Sequence, residues 1–283
     1  MKREKTTKDL GTLSGRILVF GGVYSNWQAL QRMWEIAARL HISAQNIICT
    51  GDIIAYCAQP AETLQSFTDR GVHTIAGNVE IQLREGQDEC GCDFTAGSRC
   101  DVFSRNWYPY AQEQLSAESK ARMHDYPDFL TFSYAGKKCC VVHGSYFETS
   151  EFIFKSTPWS VKARNFSVTD ADVILAGHCG LPFHHLEQDK MWLNPGVIGM
   201  PANDGTTRVW YMVLEENVAG GFAFQHHAFD YDHRLTAKLM RDNQLPPEYA
   251  HTLETGLWDN CDILPEEETA LQGKRIELAD KIF

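Results

Sequence analysis

Four side chains able to hold a divalent cation recur along the chain, each beside a glycine: Asp52 in TGDIIAY, Asn78 in AGNVE, His143 in VVHGS and His178 in AGHCGLPF. One Asp, one Asn and two His make a set of oxygen and nitrogen donors suited to Mn, Fe, Zn or Ni. Any one of these dipeptides alone is an ordinary turn sequence. Their weight comes from what precedes them. ILVF runs into Gly21-Gly22, IICT into Gly51-Asp52, HTIA into Gly77-Asn78, CCVV into His143-Gly144 and VILA into Gly177-His178. Each short apolar, β-branched run reads as a strand, so the polar residues fall at strand carboxyl ends, where open α/β sheets build their sites.

A second group with ligand chemistry is sulfur. The loop EGQDECGCDFTAGSRC carries Cys90, Cys92 and Cys100, and Cys179 adjoins His178. Clustered thiolates would favour Zn or an iron–sulfur centre, although the C-x-C-x7-C spacing is not that of a C-x2-C knuckle. The pairs His184-His185 and His226-His227 lie in apolar, strand-like runs. Neighbours in a strand point to opposite faces, which makes each pair a poor joint chelator.

The elements that must position these residues follow from periodicity. After the strand at 16 to 23, NWQALQRMWEIAARL places Trp27, Leu30, Met33, Trp34, Ala37 and Leu40 mostly at three- and four-residue steps behind Ser25 or Asn26, an amphipathic helix with its cap. NIICT, then QPAETLQSFTDR with Pro60 near a helix start, then VHTIAGN repeat the alternation. The first 80 residues read as β-α-β-α-β with a parallel sheet. Periodicity fails from 85 to 100, and helical patterns resume around 108 to 125. FLTFSY and KKCCVVHG read as paired strands, and MWLNPG, RVWYMVLE and FAFQHHAFDYD as an antiparallel meander. The chain then turns helical again at DHRLTAKLMRDN and PPEYAHTLETG. Residues 1–15 are expected as a tail, 16–240 as the domain, and 241–283 as an acidic helical extension.

The net charge of −11, from 37 acidic against 26 basic residues, argues against a partner held by a basic surface, such as duplex nucleic acid or an anionic membrane. It also disfavours phosphate unless a cation sits in the site. Residues 241–283 hold 10 acids against 4 bases, so over half of the surplus lies outside the motif-bearing region. No apolar run approaches the roughly 18 residues that a membrane helix needs. Nine cysteines without an export signal suggest a reducing cytoplasm and free thiols.

From Arg16 to Arg234 the motifs resemble those of the calcineurin-like metallophosphoesterases, in particular their compact bacterial and archaeal phosphodiesterase branch. That family's segments run D-x-H, G-D, G-N-H/D/E, H-G and G-H-x-H. Here they read GGVYSN, TGDIIAY, AGNVE, VVHGS and AGHCGLPF, followed by NPGVIGMP. The resemblance implies an α/β fold, a four-layer α-β-β-α sandwich, and a two-metal phosphoester hydrolase acting on a small phosphorylated substrate.

The departures from the pattern are selective. Gly22 and Tyr24 stand where the family places the Asp and His of its first motif, and Gly180 stands at the second His of its last. Those are the private ligands of one metal position. The ligands of the other, Asp52 as the bridge with Asn78, His143 and His178, are all present. The resemblance therefore implies one retained divalent ion and a doubtful second, with Tyr24 either contacting a phosphoryl oxygen or filling the vacated position. Val79 replaces the family's histidine after G-N. The competing expectation is a silent protein that keeps the fold to bind a phosphorylated ligand or a protein partner.

Overall fold

The parallel strands at 17–20, 47–49 and 173–175 are short and buried on both faces, as parallel strands covered on either side must be. A computed structural model describes residues 4–278, apart from 93 and 218. The first three residues of the expected tail and the last five of the extension lie outside the described residues.

Two sheets stack face to face. The first joins β1 (Thr7–Thr12), β5 (Phe129–Tyr134), β6 (Lys137–Val141), β7 (Val173–Leu175), β8 (Pro182–Glu187) and β9 (Lys190–Pro195) in the order β1-β5-β6-β7-β9-β8. The second joins β2 (Ile17–Phe20), β3 (Ile47–Cys49), β4 (His73–Thr74), β10 (Val209–Glu216) and β11 (Phe222–Phe229) in the order β11-β10-β2-β3-β4. The β2, β3 and β4 strands are parallel, with Val19 opposite Ile48 and Cys49 opposite Thr74.

Side-chain alternation distributes the core. Ile17 and Val19 of β2 point between the sheets and meet Leu130, Val141, Val173, Met212 and Phe224. Leu18 and Phe20 point outward to Leu30, Met33 and Trp34 of helix α1 (Trp27–Arg39) and to Leu64 and Phe67 of α2 (Pro60–Arg70). Asn26 caps α1 by accepting the Ala29 amide at 3.1 Å, and Pro60 opens α2. Next along the chain come α3 (Asn78–Arg84), α4 (Arg99–Gln114) and α5 (Ala117–Arg122), then α6 (Trp159–Thr169), which covers the outer face of the first sheet through Phe166 against Cys140, Ile174 and Trp192. The helices α7 (His233–Asp242) and α8 (Pro247–Thr255) pack on the α1 side, and α9 (Glu266–Thr269) follows. The layers are therefore α-β-β-α.

Three expectations change. Residues Thr7–Thr12, read as tail, form β1 and pair in parallel with β5. The three segments read as a meander, now β9, β10 and β11, do not make one. The β8–β9 hairpin joins the first sheet and the β10–β11 hairpin the second, and NPGVIGMP crosses between them. Each sheet buries one inner face, so each needs its own closing strands. Helix α4 starts at Arg99, capped by Ser98, about one turn before its first buried apolar residue, Phe103, and well before the expected start near 108.

Candidate metal centre

The four donors sit where the strand pattern predicts. Asp52 follows β3, Asn78 opens α3 after β4, His143 follows β6 and His178 follows β7. Asp52 (φ 55°) and His178 (φ 60°) occupy the left-handed region, which residues with a Cβ rarely adopt and which marks turns held by their surroundings. Gly77 must be a glycine, because a Cβ there would lie 2.1 Å from Asp52 Oδ1.

These side chains converge on one point. His143 Nε2 lies 3.0 Å from Asn78 Oδ1, 3.1 Å from His178 Nδ1 and 3.2 Å from Asp52 Oδ2. His143 Nδ1 donates to the Thr50 carbonyl at 2.7 Å. That bond fixes the neutral tautomer with its lone pair on Nε2, which then faces three acceptors. Four acceptor atoms at this spacing repel one another unless a proton or a metal ion lies among them. Burial pushes the His143 imidazole down, but the Asp52 carboxylate and its own hydrogen bonds outweigh burial and carry it above its ordinary value. Burial and then His143 push His178 down to about 3, so it stays neutral, as a ligand must. Burial alone would raise the Asp52 carboxyl, yet His143 and His178 hold it below the usual carboxylate range. Among the described residues, Asp52, His143 and His178 are the single group of three or more His, Cys, Asp or Glu whose ligand atoms all lie within 4.8 Å. The donor set fits a divalent transition ion.

Two positioning residues are invisible in the motif reading. Glu80, fully buried, accepts the amides of Asp52 at 2.9 Å, Ile54 at 3.1 Å and Gly77 at 2.9 Å, locking the Asp52 and Asn78 turns together. Its spacing, third after Gly77, is that of a capping box and is the signal that could have found it. Asn194 of β9 donates to the Gly177 carbonyl at 2.9 Å and to Cys179 Sγ at 3.2 Å, which holds the His178 turn.

The four thiols do not assemble into one cluster among the described residues. Cys179 Sγ is engaged with Asn194, Cys100 Sγ donates to Asn260 Oδ1 at 3.5 Å, and only Cys90 and Cys92 are side by side. Cys92, Cys100 and Cys179 line one cavity, but Cys179 lies on the turn after β7 and only Cys90 and Cys92 contact Asn78. The histidine pairs are split as expected. His226 Nε2 donates to the Asn194 carbonyl at 2.9 Å, while His227 stacks on Tyr211.

Residues 16–217 match the model of the calcineurin-like phosphoesterase superfamily domain. This chain belongs to that superfamily. An uncharacterised protein of Methanocaldococcus jannaschii, MJ0912, is 24% identical over 247 residues, covering 81% of this chain and 93% of that protein. Among solved structures, a metallophosphoesterase from Sphaerobacter thermophilus superposes with a TM-score of 0.67 at 22% identity, covering 87% of this chain and 100% of that one. A hypothetical protein of Pyrococcus horikoshii, PH1004, gives a TM-score of 0.72 at 18% identity, covering 86% and 99%. At these identities the structures show a shared fold. No helix among the described residues is long and apolar enough to cross a membrane.

Against the calcineurin-like pattern, the three altered positions are physically linked to what replaced them. A Cβ on Gly22 would lie 2.3 Å from Cζ of Tyr24, so the tyrosine ring occupies the space of the missing side chain. Over Gly180, a Cβ would lie 3.3 Å from the Trp258 indole, which arrives from the C-terminal segment. That indole is pinned by its Nε1–H donating to the Pro201 carbonyl at 2.8 Å. Tyr24 and Trp258 thus wall a cavity of about 90 Å³ beside Asp52 and His178, with Tyr56, Phe152 and Tyr249 as further aromatic walls. No Lys or Arg is among its described lining residues.

Proposed function

We propose that this chain is a metal-dependent phosphoesterase working with a single divalent transition ion, Mn, Fe, Zn or Ni, held by Asp52, Asn78, His143 and His178. The observation that carries the reading is the set of acceptors converging on His143 Nε2 at 3.0 to 3.2 Å, a buried arrangement that calls for a cation. Such an ion, when bound, supplies Lewis-acid polarisation of a phosphoryl oxygen and a lowered pKa for water.

The protein's own residues do the rest. Thr50 fixes the His143 tautomer, Glu80 and Asn194 hold the ligand turns, and the aromatic walls exclude bulk water. Burial, and then the Asp52 carboxylate, push the Tyr24 phenol well above its ordinary value, so it remains a hydrogen-bond donor for a phosphoryl oxygen. One ion and no lining cation match a singly charged phosphodiester better than a doubly charged monoester.

A second reading rests on Tyr24 and Trp258 filling the other metal position: a silent member of the superfamily that binds a phosphorylated ligand or a protein partner. Elemental analysis of protein purified without chelator is expected to give about one transition ion per chain, lost in His178→Ala, because removing a ligand typically costs far more than the about 10- to 100-fold of a supporting contact. With Mn added, aryl phosphodiesters are expected to turn over faster than monoesters, and Asp52→Asn to abolish both. An ion bound without turnover would favour the silent reading. No ion under any loading condition would sink the single-ion phosphoesterase reading.

A further inference from the structure

The Asn78 ligand is oriented by sulfur. Its amide Nδ2 donates to the Cys90 carbonyl at 3.0 Å and to Cys92 Sγ at 3.2 Å. These two bonds decide which way the amide faces, and so present Oδ1, rather than Nδ2, to His143 Nε2. Both acceptors belong to one C-G-C turn. Gly91, at φ 66°, folds it back on itself, and the Cys92 thiol reaches the Cys90 carbonyl at 3.8 Å. A groove of about 280 Å³, with Glu89, Phe94, Asp101 and Ser150 along it, leads from the surface to both cysteines. The other thiols differ: Cys49, Cys139 and Cys140 lie in core strands, Cys57 is buried in the core, and Cys100, Cys179 and Cys261 are bonded elsewhere.

We propose that Cys90 and Cys92 are an oxidisable pair, and that closing them into a disulfide releases Asn78 from the orientation in which it holds the ion. The oxidant is a small disulfide, RSSR. One cysteine sulfur attacks it, forming a mixed disulfide and expelling a first RS⁻. The second cysteine sulfur displaces the other RS⁻, and the two thiol protons pass to these leaving groups. One intramolecular S–S bond and two RSH result, with two electrons moved from protein to oxidant. The Cys90 carbonyl is attached to the ring so formed and Cys92 Sγ is a member of it, so a single bond displaces both acceptors of the Asn78 amide. This rests on the metal reading above, because it is the ion that reports the change.

The test compares full-length protein before and after treatment with excess oxidised glutathione, using Mn²⁺ as the probe because manganese disfavours thiol ligands. Peptide mapping is expected to show a loss of two hydrogens in the fragment carrying 90 to 92. Free Mn²⁺ measured by electron paramagnetic resonance is expected to show affinity falling by about tenfold or more, the scale of a lost supporting contact. Adding dithiothreitol restores it. Cys90→Ser keeps both acceptors but closes no ring, so its affinity without oxidant is expected to equal that of the reduced protein, and with oxidant its mapped fragment gains the mass of one glutathione rather than losing two hydrogens. Reduced protein that binds no Mn²⁺ overturns the metal reading and the coupling with it. Reduced protein that binds Mn²⁺ but forms no 90–92 disulfide overturns the pair alone, and a disulfide with unchanged affinity overturns the coupling alone.

Discussion

At the scale of single residues, the molecule shows how one side chain can exclude another. Tyr24 and a side chain at position 22 compete for one space, so the glycine and the tyrosine are one change rather than two. A second residue-scale feature lies on the opposite flank. Lys162 of α6 is fully buried, and its ammonium donates to the carbonyls of Lys155 at 3.1 Å and Thr157 at 2.7 Å and to His185 Nδ1 at 3.0 Å. Burial pushes it down to about 8 despite the opposing pull of Glu268. An unfolded lysine titrates near 10.4. Between these two values the unfolded chain keeps a proton that the folded chain has released, so this residue's contribution to stability rises with pH across that window and is flat below it. Urea unfolding of wild type and Lys162→Met at about pH 7 and about pH 9.5 is therefore expected to show the wild type gaining roughly 2 kcal/mol relative to the variant at the higher pH. An unchanged difference would mean that Lys162 titrates normally.

At the scale of elements, the site depends on two turns being tied before any ion arrives. Glu80 belongs to α3, yet two of the three amides it accepts are on the turn after β3. Burial, then the nearby Asp52 carboxylate, push its carboxyl up to about 7, a cost that the three donated hydrogen bonds offset. Glu80→Gln places an amide NH₂ against backbone N–H groups and loses charge-assisted bonds that are worth about 1.5 to 3 kcal/mol each. Thermal unfolding is expected to show a destabilisation of about 2 kcal/mol or more, with Mn²⁺ binding weakened even in the variant's folded state. Full stability in Glu80→Gln would show that the turns hold without it.

At the scale of the whole molecule, the C-terminal segment is part of the site rather than an appendage. Trp258 covers Gly180, Asp259 and Asn260 line the cavity mouth, and Arg99 at the start of α4 clasps Asp259 and reaches Glu248 at 3.5 Å. The acidic surplus of residues 241–283 is partly neutralised by this clasp. Trp258→Ala is expected to leave the number of bound ions unchanged while a chelator strips the ion severalfold faster, followed by stopped-flow with a metal indicator. An unchanged rate would show that the ion leaves by another face.

The sequence by itself determined the sandwich and the four donors proposed as ligands. Each ligand sits at a turn directly after a short apolar strand, and both signals are local: strand periodicity, and a polar residue beside glycine. It also marked Gly22, Tyr24 and Gly180 as departures, because they interrupt a pattern of fixed order. Only the tertiary structure decided what those departures mean. Trp258 is far along the chain from Gly180, and no periodicity links them. The same is true of Asn194 and the His178 turn, of the sheet to which each late hairpin belongs, and of β1, whose exposed residues carry no burial pattern. The cysteines divide the same way. The loop spacing and the place of Cys179 beside His178 left a thiolate site open in the sequence, whereas packing placed Cys179 on the turn after β7 and Cys90 and Cys92 against Asn78. Local hydrogen bonding and side-chain alternation are written along the chain. Contacts that close a cavity depend on how separate layers stack, and that is fixed only when the two sheets and their helices bury their faces together.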